Sequence, residues 1–304
     1  NFTGTTMLPA SASWTVNSCR IGNNAVFTIP STAALSLSSF VWQGGTAITV
    51  NNQGTLNFPG GTTLPDGGTF NNTGTINCSG DLTMGQGNSI LYQDGTILGT
   101  PNLTINPTST VEVKNGKTTS VNSLTIMNTG KLTHTAAHAG LVFNVAGDFV
   151  LNAGGSVDVS GKGSAGGASG AAGSGSGPGI YGTAYAGSGA GHGGAGGADL
   201  QGDAGGAAYG SDILPVTLGS GGGGGGGGVG GAGGGRIKMV IAGSATLEGT
   251  IKANGANGGA NGSSNAAYDA GGGSGGSIYL TAFSWGGTTG TITANGGNGD
   301  TAGM

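Results

Sequence analysis

The stretch from Leu82 to Leu132, LTMGQGNSILYQDGTILGTPNLTINPTSTVEVKNGKTTSVNSLTIMNTGKL, decides the fold. Its apolar residues Leu82, Met84 and Ile90 stand at relative positions 0, 2 and 8; 21 residues on come Leu103, Ile105 and Val111, and 21 further Leu124, Ile126 and Leu132. Three sets in one register mark an internal repeat, and a period near 20 is that of a solenoid coil. Inside each repeat, short alternating runs rich in Val, Ile, Leu, Phe and Thr end at Gly, Asn or Pro, the period-two signature of strands, while helical periodicity is nearly absent. The expected fold is all-β: a β-solenoid of about 21-residue coils stacked roughly 4.8 Å apart, with inward side chains forming apolar ladders along the axis.

The pattern extends in both directions. Adding 25 reaches Phe149, Leu151 and Val157, and near the start Phe27, Ile29 and Leu35 are followed 21 residues later by Ile48, Val50 and Leu56. Residues 57–81 read as a break, with Phe70 and Ile76 spaced differently. A second repeat covers the C-terminal half: 141–161, 237–255 and 278–296 align, with Leu141/Ile237/Ile278, Phe143/Met239/Leu280 and Val157/Ile251/Ile292 coinciding and each unit closing on Gly161, Gly255 or Gly296. The units are joined by glycine-rich connections, 162–236 and 256–277. The expected organisation is a shaft over 1–161, an insertion over 162–236, and a continued solenoid over 237–304 that carries the second loop, both connections leaving at one corner and lying together on one flank.

Composition narrows the function. Of 304 residues 74 are glycine, and residues 162–236 hold 34 of them. Such a tract buries no apolar side chain, and glycine loses more backbone entropy on ordering than any other residue. A disordered spacer is one reading; but Tyr181, Tyr185, Tyr209 and the run ILPVTL (213–218) interrupt it, and we expect an ordered layer of extended, polyglycine II-like strands bonded through their bare backbones. With 8 Lys+Arg, 12 Asp+Glu and a net charge of −4, there is no basic stripe to track phosphates, so no nucleic-acid partner is expected. No apolar run is long enough for a membrane-spanning helix. The uncharged Thr/Asn/Gly-rich composition, and a start at Asn1 without a leader, suit a processed or excised extracellular or cell-surface chain.

The motifs GGGRIKMVIAG (233–243) with GTIKANG (249–255), and GGGSGGSIYLTA (271–282) with GTITANGG (290–297), resemble the glycine-rich surface repeat of large secreted bacterial proteins. Residues 25–160 more loosely resemble the β-helical stalks of filamentous-haemagglutinin-type adhesins, and glycine-rich tip adhesins of phage tail fibres are also similar. The resemblance implies a secreted or surface-displayed fibrous protein used for adhesion or matrix. It transfers no catalytic residue.

Glu112, Lys114 and Lys131 stand about one coil apart and read as an exposed ion pair rather than a lyase or glycosidase constellation. His134 and His138 follow a strand and read as solvated turn residues rather than metal ligands. GGNGD (296–300) departs from the calcium-binding nonapeptide in the position of its Asp, and the GxGxxG-like strings lack a strand-to-helix context. No metal or cofactor is expected. Trp14, Trp42 and Trp285 read as core or capping aromatics. Tyr181, Tyr185, Tyr209 and Tyr268, projecting from glycine-rich loops, are the candidate glycan contacts. Asn1, Asn71, Asn77, Asn102 and Asn261 lie in sequons, and of these Asn71, Asn77, Asn102 and Asn261 are the candidate glycosylation sites. Cys19 and Cys78, nearly three coils apart, are too distant along a regular solenoid for a disulfide.

The expected function is a non-catalytic extracellular structural or adhesive protein whose main partner is itself, stacked head to tail into a filament, with surface glycans as further partners. The alternatives are a carbohydrate-active β-helix enzyme and a glycan-binding phage or bacterial adhesin. An enzyme requires a cleft with at least two converging ionisable groups.

Overall fold

The computed structural model describes residues 2–42, 47–64, 66–114, 116–136, 139–183, 185–259 and 269–299, with the backbone alone at 18 and 39–42. Its regular elements are all strands, stacked into parallel sheets of ten, seven, five and four. One coil illustrates the path: Ile90–Gln93 lies in the ten-stranded sheet, Thr96–Leu98 in the five-stranded sheet and Asn102–Ile105 in the seven-stranded sheet. In the following coil the middle side passes to the four-stranded sheet, which begins with Thr118–Val121.

Every second residue of a strand faces one side, so the inward residues form columns. In the seven-stranded sheet Leu82, Leu103, Leu124 and Phe149 stack in register, with Ile105 on Ile126 and Leu151 beside them. All are buried. Leu141, Ile237 and Ile278 stack likewise, as do Phe143, Met239 and Leu280, and Val157, Ile251 and Ile292. One interior column is polar: the Asn52 amide donates to Asn72 Oδ1 (2.7 Å), and the Asn72 amide to Gln93 Oε1 (2.9 Å). These bonds offset much of the cost of burying the amides, while Asn52 Oδ1 has no partner among the described residues.

Several expectations need correction. Ile90 pairs with Thr110 and faces outward; Leu91 takes the inward place between Phe70 and Val111. The corner between Met84 and Leu91 is one residue longer than that between Ile105 and Val111, and a single residue reverses the facing of a strand. Phe27 stacks on Val50, not Ile48, and Ile29 on Asn52. Residues 57–81 are regular, because Val50 stacks on Phe70 and Leu56 on Ile76, in a coil of 20 residues rather than 21. Glu112 accepts the Thr135 hydroxyl (2.7 Å), Lys114 lies over the Tyr92 ring (3.9 Å), and Lys131 faces Asp158 (3.8 Å), so Glu112 and the two lysines do not form the expected pair. His134 is buried rather than solvated: its Nδ1 bonds the Thr135 carbonyl, and its Nε2 receives the Arg236 amide. His138 lies outside the described residues.

Cys19 and Cys78 are free and buried. Cys19 pairs in register with Phe40, and Cys78 with Phe58, so they occupy different columns. Burial pushes the Cys19 thiol up to about 11 and raises Cys78 as well. Trp14 and Trp285 belong to end coils and are exposed, so neither is a core residue; the side chain of Trp42 lies outside the described residues.

Candidate functional site: the glycine layer and its turns

Both long connections leave the solenoid between the ten-stranded and four-stranded sheets, after Ser156–Asp158 and after Thr250–Lys252. They pack on each other: Gly231 donates to the Gly271 carbonyl and Gly234 to Ser274. At the centre runs Gly219–Gly226. Gly219, Gly222 and Gly225 donate to Gly234, Gly231 and Gly228; Gly221 and Gly224 donate to Ser174 and Ala171; Gly223 and Gly226 donate to Ser188 and Tyr185. In return Ser164, Gly167 and Gly170 donate to the carbonyls of Gly219, Gly222 and Gly225, while Gly271 and Ser274 donate to Gly223 and Ser220. Every third residue addresses the same neighbour, the period of a polyproline II-type helix, where a β-strand would address two neighbours with a period of two.

This geometry explains the composition. A Cβ on Gly222 would fall far inside van der Waals contact with the Gly271 carbonyl, and one on Gly223 with that of Ile180. Gly221–Gly225 are buried, although they carry no apolar side chain. The glycine tract is therefore an ordered layer, as expected, and the amides of buried Gly221–Gly225 all find carbonyl partners.

At one end the layer joins the coils through Gly235 to Val159 and Gly276 to Ala253. At the other end its turns gather. Ala171 donates to Ala168 to close one turn, Gly226 donates to Tyr185 of a second, and Gly259 donates to Val229 of a third. Thr183 donates from its amide (2.6 Å) and its hydroxyl (2.8 Å) to Asp203 Oδ2 in a fourth. These two bonds, with a side-chain bond to Asp199, hold the Asp203 carboxyl below its ordinary value. The Tyr181 and Tyr185 rings meet edge-on, with centroids 6.3 Å apart and planes at 65°. Tyr185 is 57% exposed and holds a left-handed φ of 71°, which a bulky residue rarely adopts. Leu200 and Val229 are exposed on neighbouring turns.

Of the expected glycan contacts, the structure brings Tyr181 and Tyr185 together. Tyr209 lies elsewhere and does not project freely: its hydroxyl donates to the Leu218 carbonyl and accepts from Ser220 Oγ (2.8 Å), and its ring lies 4.6 Å from that of His192. Tyr268 lies outside the described residues. Among the sequons, Asn71 donates its amide to Asn51 (2.8 Å) and Asn102 to Asp81 (2.8 Å), so both serve cross-coil ladders. Asn77 is exposed, and Asn1 and Asn261 lie outside the described residues.

A groove of about 610 Å³ lies where the layer meets the coils, lined by His192, Tyr209, Asp212 and Gly275 among others. His192 stands alone in GAGHGGAGG, and nothing in that motif signals that Thr217 reaches its Nε2 (2.8 Å). Burial lowers its pKa, and a hydrogen bond with the Gly275 main chain partly offsets this. Among the described residues no group of three or more His, Cys, Asp or Glu could hold a metal ion, and no helix is long and apolar enough to cross a membrane.

No protein-family model, curated protein or solved structure matches this chain.

Proposed function

We propose that this chain is a non-catalytic structural and adhesive protein of the cell exterior, whose solenoid carries a rigid glycine layer that presents contact turns. The observation that supports this best is the period-three backbone bonding of Gly219–Gly226. It holds in place a stretch of chain that carries little chemistry of its own, and the exposed aromatic and apolar residues Tyr185, Leu200 and Val229 sit on its turns. Aromatic rings on a rigid support are suited to stacking on glycans. Binding of the fluorescent chain to cells and to immobilised glycans tests this. The double variant Tyr181→Ala/Tyr185→Ala should bind about tenfold more weakly; unchanged binding would refute the adhesive role of the turns.

End-to-end association is the second half of the proposal. Among the described residues the inward columns end on exposed apolar side chains, at Trp14 and Val16 on one coil and at Trp285 and Ile292 on the other. Among the described residues, Thr5–Met7 and Thr291–Thr293 are the outermost strands of the ten-stranded sheet. A second copy stacked head to tail would continue this sheet in parallel register and cover both apolar ends, a heterologous contact that propagates as a fibre. Electron microscopy of the concentrated chain should show fibres, and Trp285→Asp should abolish them; a monodisperse monomer would contradict this half.

One observation favours a carbohydrate-active enzyme instead: His192 and Asp212 line the same groove. A glycosidase needs two carboxylates about 5–10 Å apart, and Asp212 is the one carboxylate among the described lining residues.

A further inference from the structure

The groove beside His192 is built rather than incidental. Tyr209 is fixed at both ends, by Leu218 and Ser220 at its hydroxyl and by the His192 ring at its face, with planes inclined 54°. His192 is fixed in turn by Thr217. Gly210, at φ 97°, lets the chain pass His192 closely, since a Cβ there would lie 3.0 Å from Nε2. The walls are thus two locked rings, the main chain of Gly275 and Gly276, and the exposed side chains of Ser211 and Asp212.

Its chemistry selects a class of ligand. The described lining carries one carboxylate and no lysine or arginine, so a phosphate, sulfate or uronate would meet no counter-charge. Its non-aromatic carbon surface is confined to small side chains, Ala208, Pro215 and Ala294, which offers little to an acyl chain. What remains is a carboxylate acceptor, hydroxyls, main-chain polar groups and two rings, in a volume within the range that takes a small organic ligand. We propose that this groove binds an uncharged mono- or disaccharide, with Asp212 accepting from sugar hydroxyls and the His192–Tyr209 pair supplying the firm wall. The inference takes from the adhesive reading only the class of partner, and its site is separate from the turns that carry Tyr181 and Tyr185.

The test uses the full chain with glucose, galactose, N-acetylglucosamine, maltose and lactose, and with glucuronate as the anionic comparison, in saturation-transfer NMR and calorimetry. At least one neutral sugar should bind saturably, with glucuronate about tenfold weaker or worse, as expected when a like charge faces an unpaired carboxylate. Asp212→Asn should weaken binding about tenfold, in line with loss of a charge-assisted hydrogen bond. Ala208→Trp, at an exposed lining position, should fill the groove and remove binding, while amide protection of Gly221–Gly225 shows that the layer remains folded. Absence of binding by every neutral sugar, equal binding of glucuronate, or indifference to Ala208→Trp would overturn the proposal. Hydrolysis of either disaccharide would also overturn it, in favour of the enzyme. Adhesion through the turns is read separately, from cell binding of the Tyr181→Ala/Tyr185→Ala variant, and its failure leaves the groove result standing.

Discussion

Around Leu124 each buried side chain rests on the side chain of the coil before it and bears the next, Leu103 below and Phe149 above. Around Gly223 there is no side chain to rest on anything, and contact is made by carbonyls and amides of the neighbouring stretches. Both regions are buried and both are bonded through their backbones, but the first gains from removing apolar area from water and the second from close backbone packing and hydrogen bonding alone. Burial and apolar side chains are thus separable properties. The coils tolerate Leu, Val, Ile or Phe in a column, whereas the layer tolerates no atom beyond the backbone at Gly222 or Gly223.

The difference predicts how each region breaks. Phe149→Ala should cost about 3–5 kcal/mol, the usual loss for a buried aromatic, and should lower the unfolding midpoint of the whole chain in denaturant titrations. Gly223→Ala adds one methyl and should cost about 1–3 kcal/mol or more as overpacking. Hydrogen exchange should quicken at Gly187, Gly222 and Gly231 while the Leu103 and Leu124 strands keep their protection. If the strands loosened equally, the two regions would be one cooperative unit. Asn72→Ala removes the middle of the polar column, so that Gln93 Oε1 loses its donor and the Asn52 amide keeps only the Thr75 carbonyl, at about 1–3 kcal/mol; its effect should stay within the coils.

Acid should act on the layer before the shaft. The folded pKa of His192 is depressed below its ordinary 6.5 by burial, so its contribution is complete above that value and is lost as pH falls through the folded pKa. Thr217, Tyr209, Gly275 and Asp212 surround it, and amides near Gly193 and Gly275 should exchange faster in mild acid. His192→Gln should remove that dependence. Lys131→Ala should have the smallest effect, within about 1 kcal/mol, because its 3.8 Å pair with Asp158 is half in solvent; thermal melts should barely move.

Much of the shaft was legible in the residues, because apolar columns leave a periodic trace: Leu82, Leu103 and Leu124 fell in register, and so did Leu141, Ile237 and Ile278 across insertions of very different length. The errors arose where the trace is ambiguous. A corner longer by one residue displaces Ile90, and a 20-residue coil takes Phe70 and Ile76 out of the 21-residue period. In the layer the sequence announced glycine but not its bonding partners, since a residue without a side chain cannot show which neighbour it faces. For the same reason Tyr181 and Tyr185 could be named as loop residues, whereas the attachment of Tyr209 to Ser220 and of His192 to Thr217 depends on how distant backbone segments pack.

Residue-resolved amide exchange across Gly219–Gly226 puts the ordered layer to its sharpest trial. Hydrogen bonding with a period of three engages the amides of Gly221, Gly222, Gly223, Gly224 and Gly225 alike, toward three different neighbours. The prediction is therefore unbroken protection along this run, comparable with that of the Leu124 strand. Exchange at random-coil rates, or protection at every second residue as on the edge of a β-sheet, would contradict it.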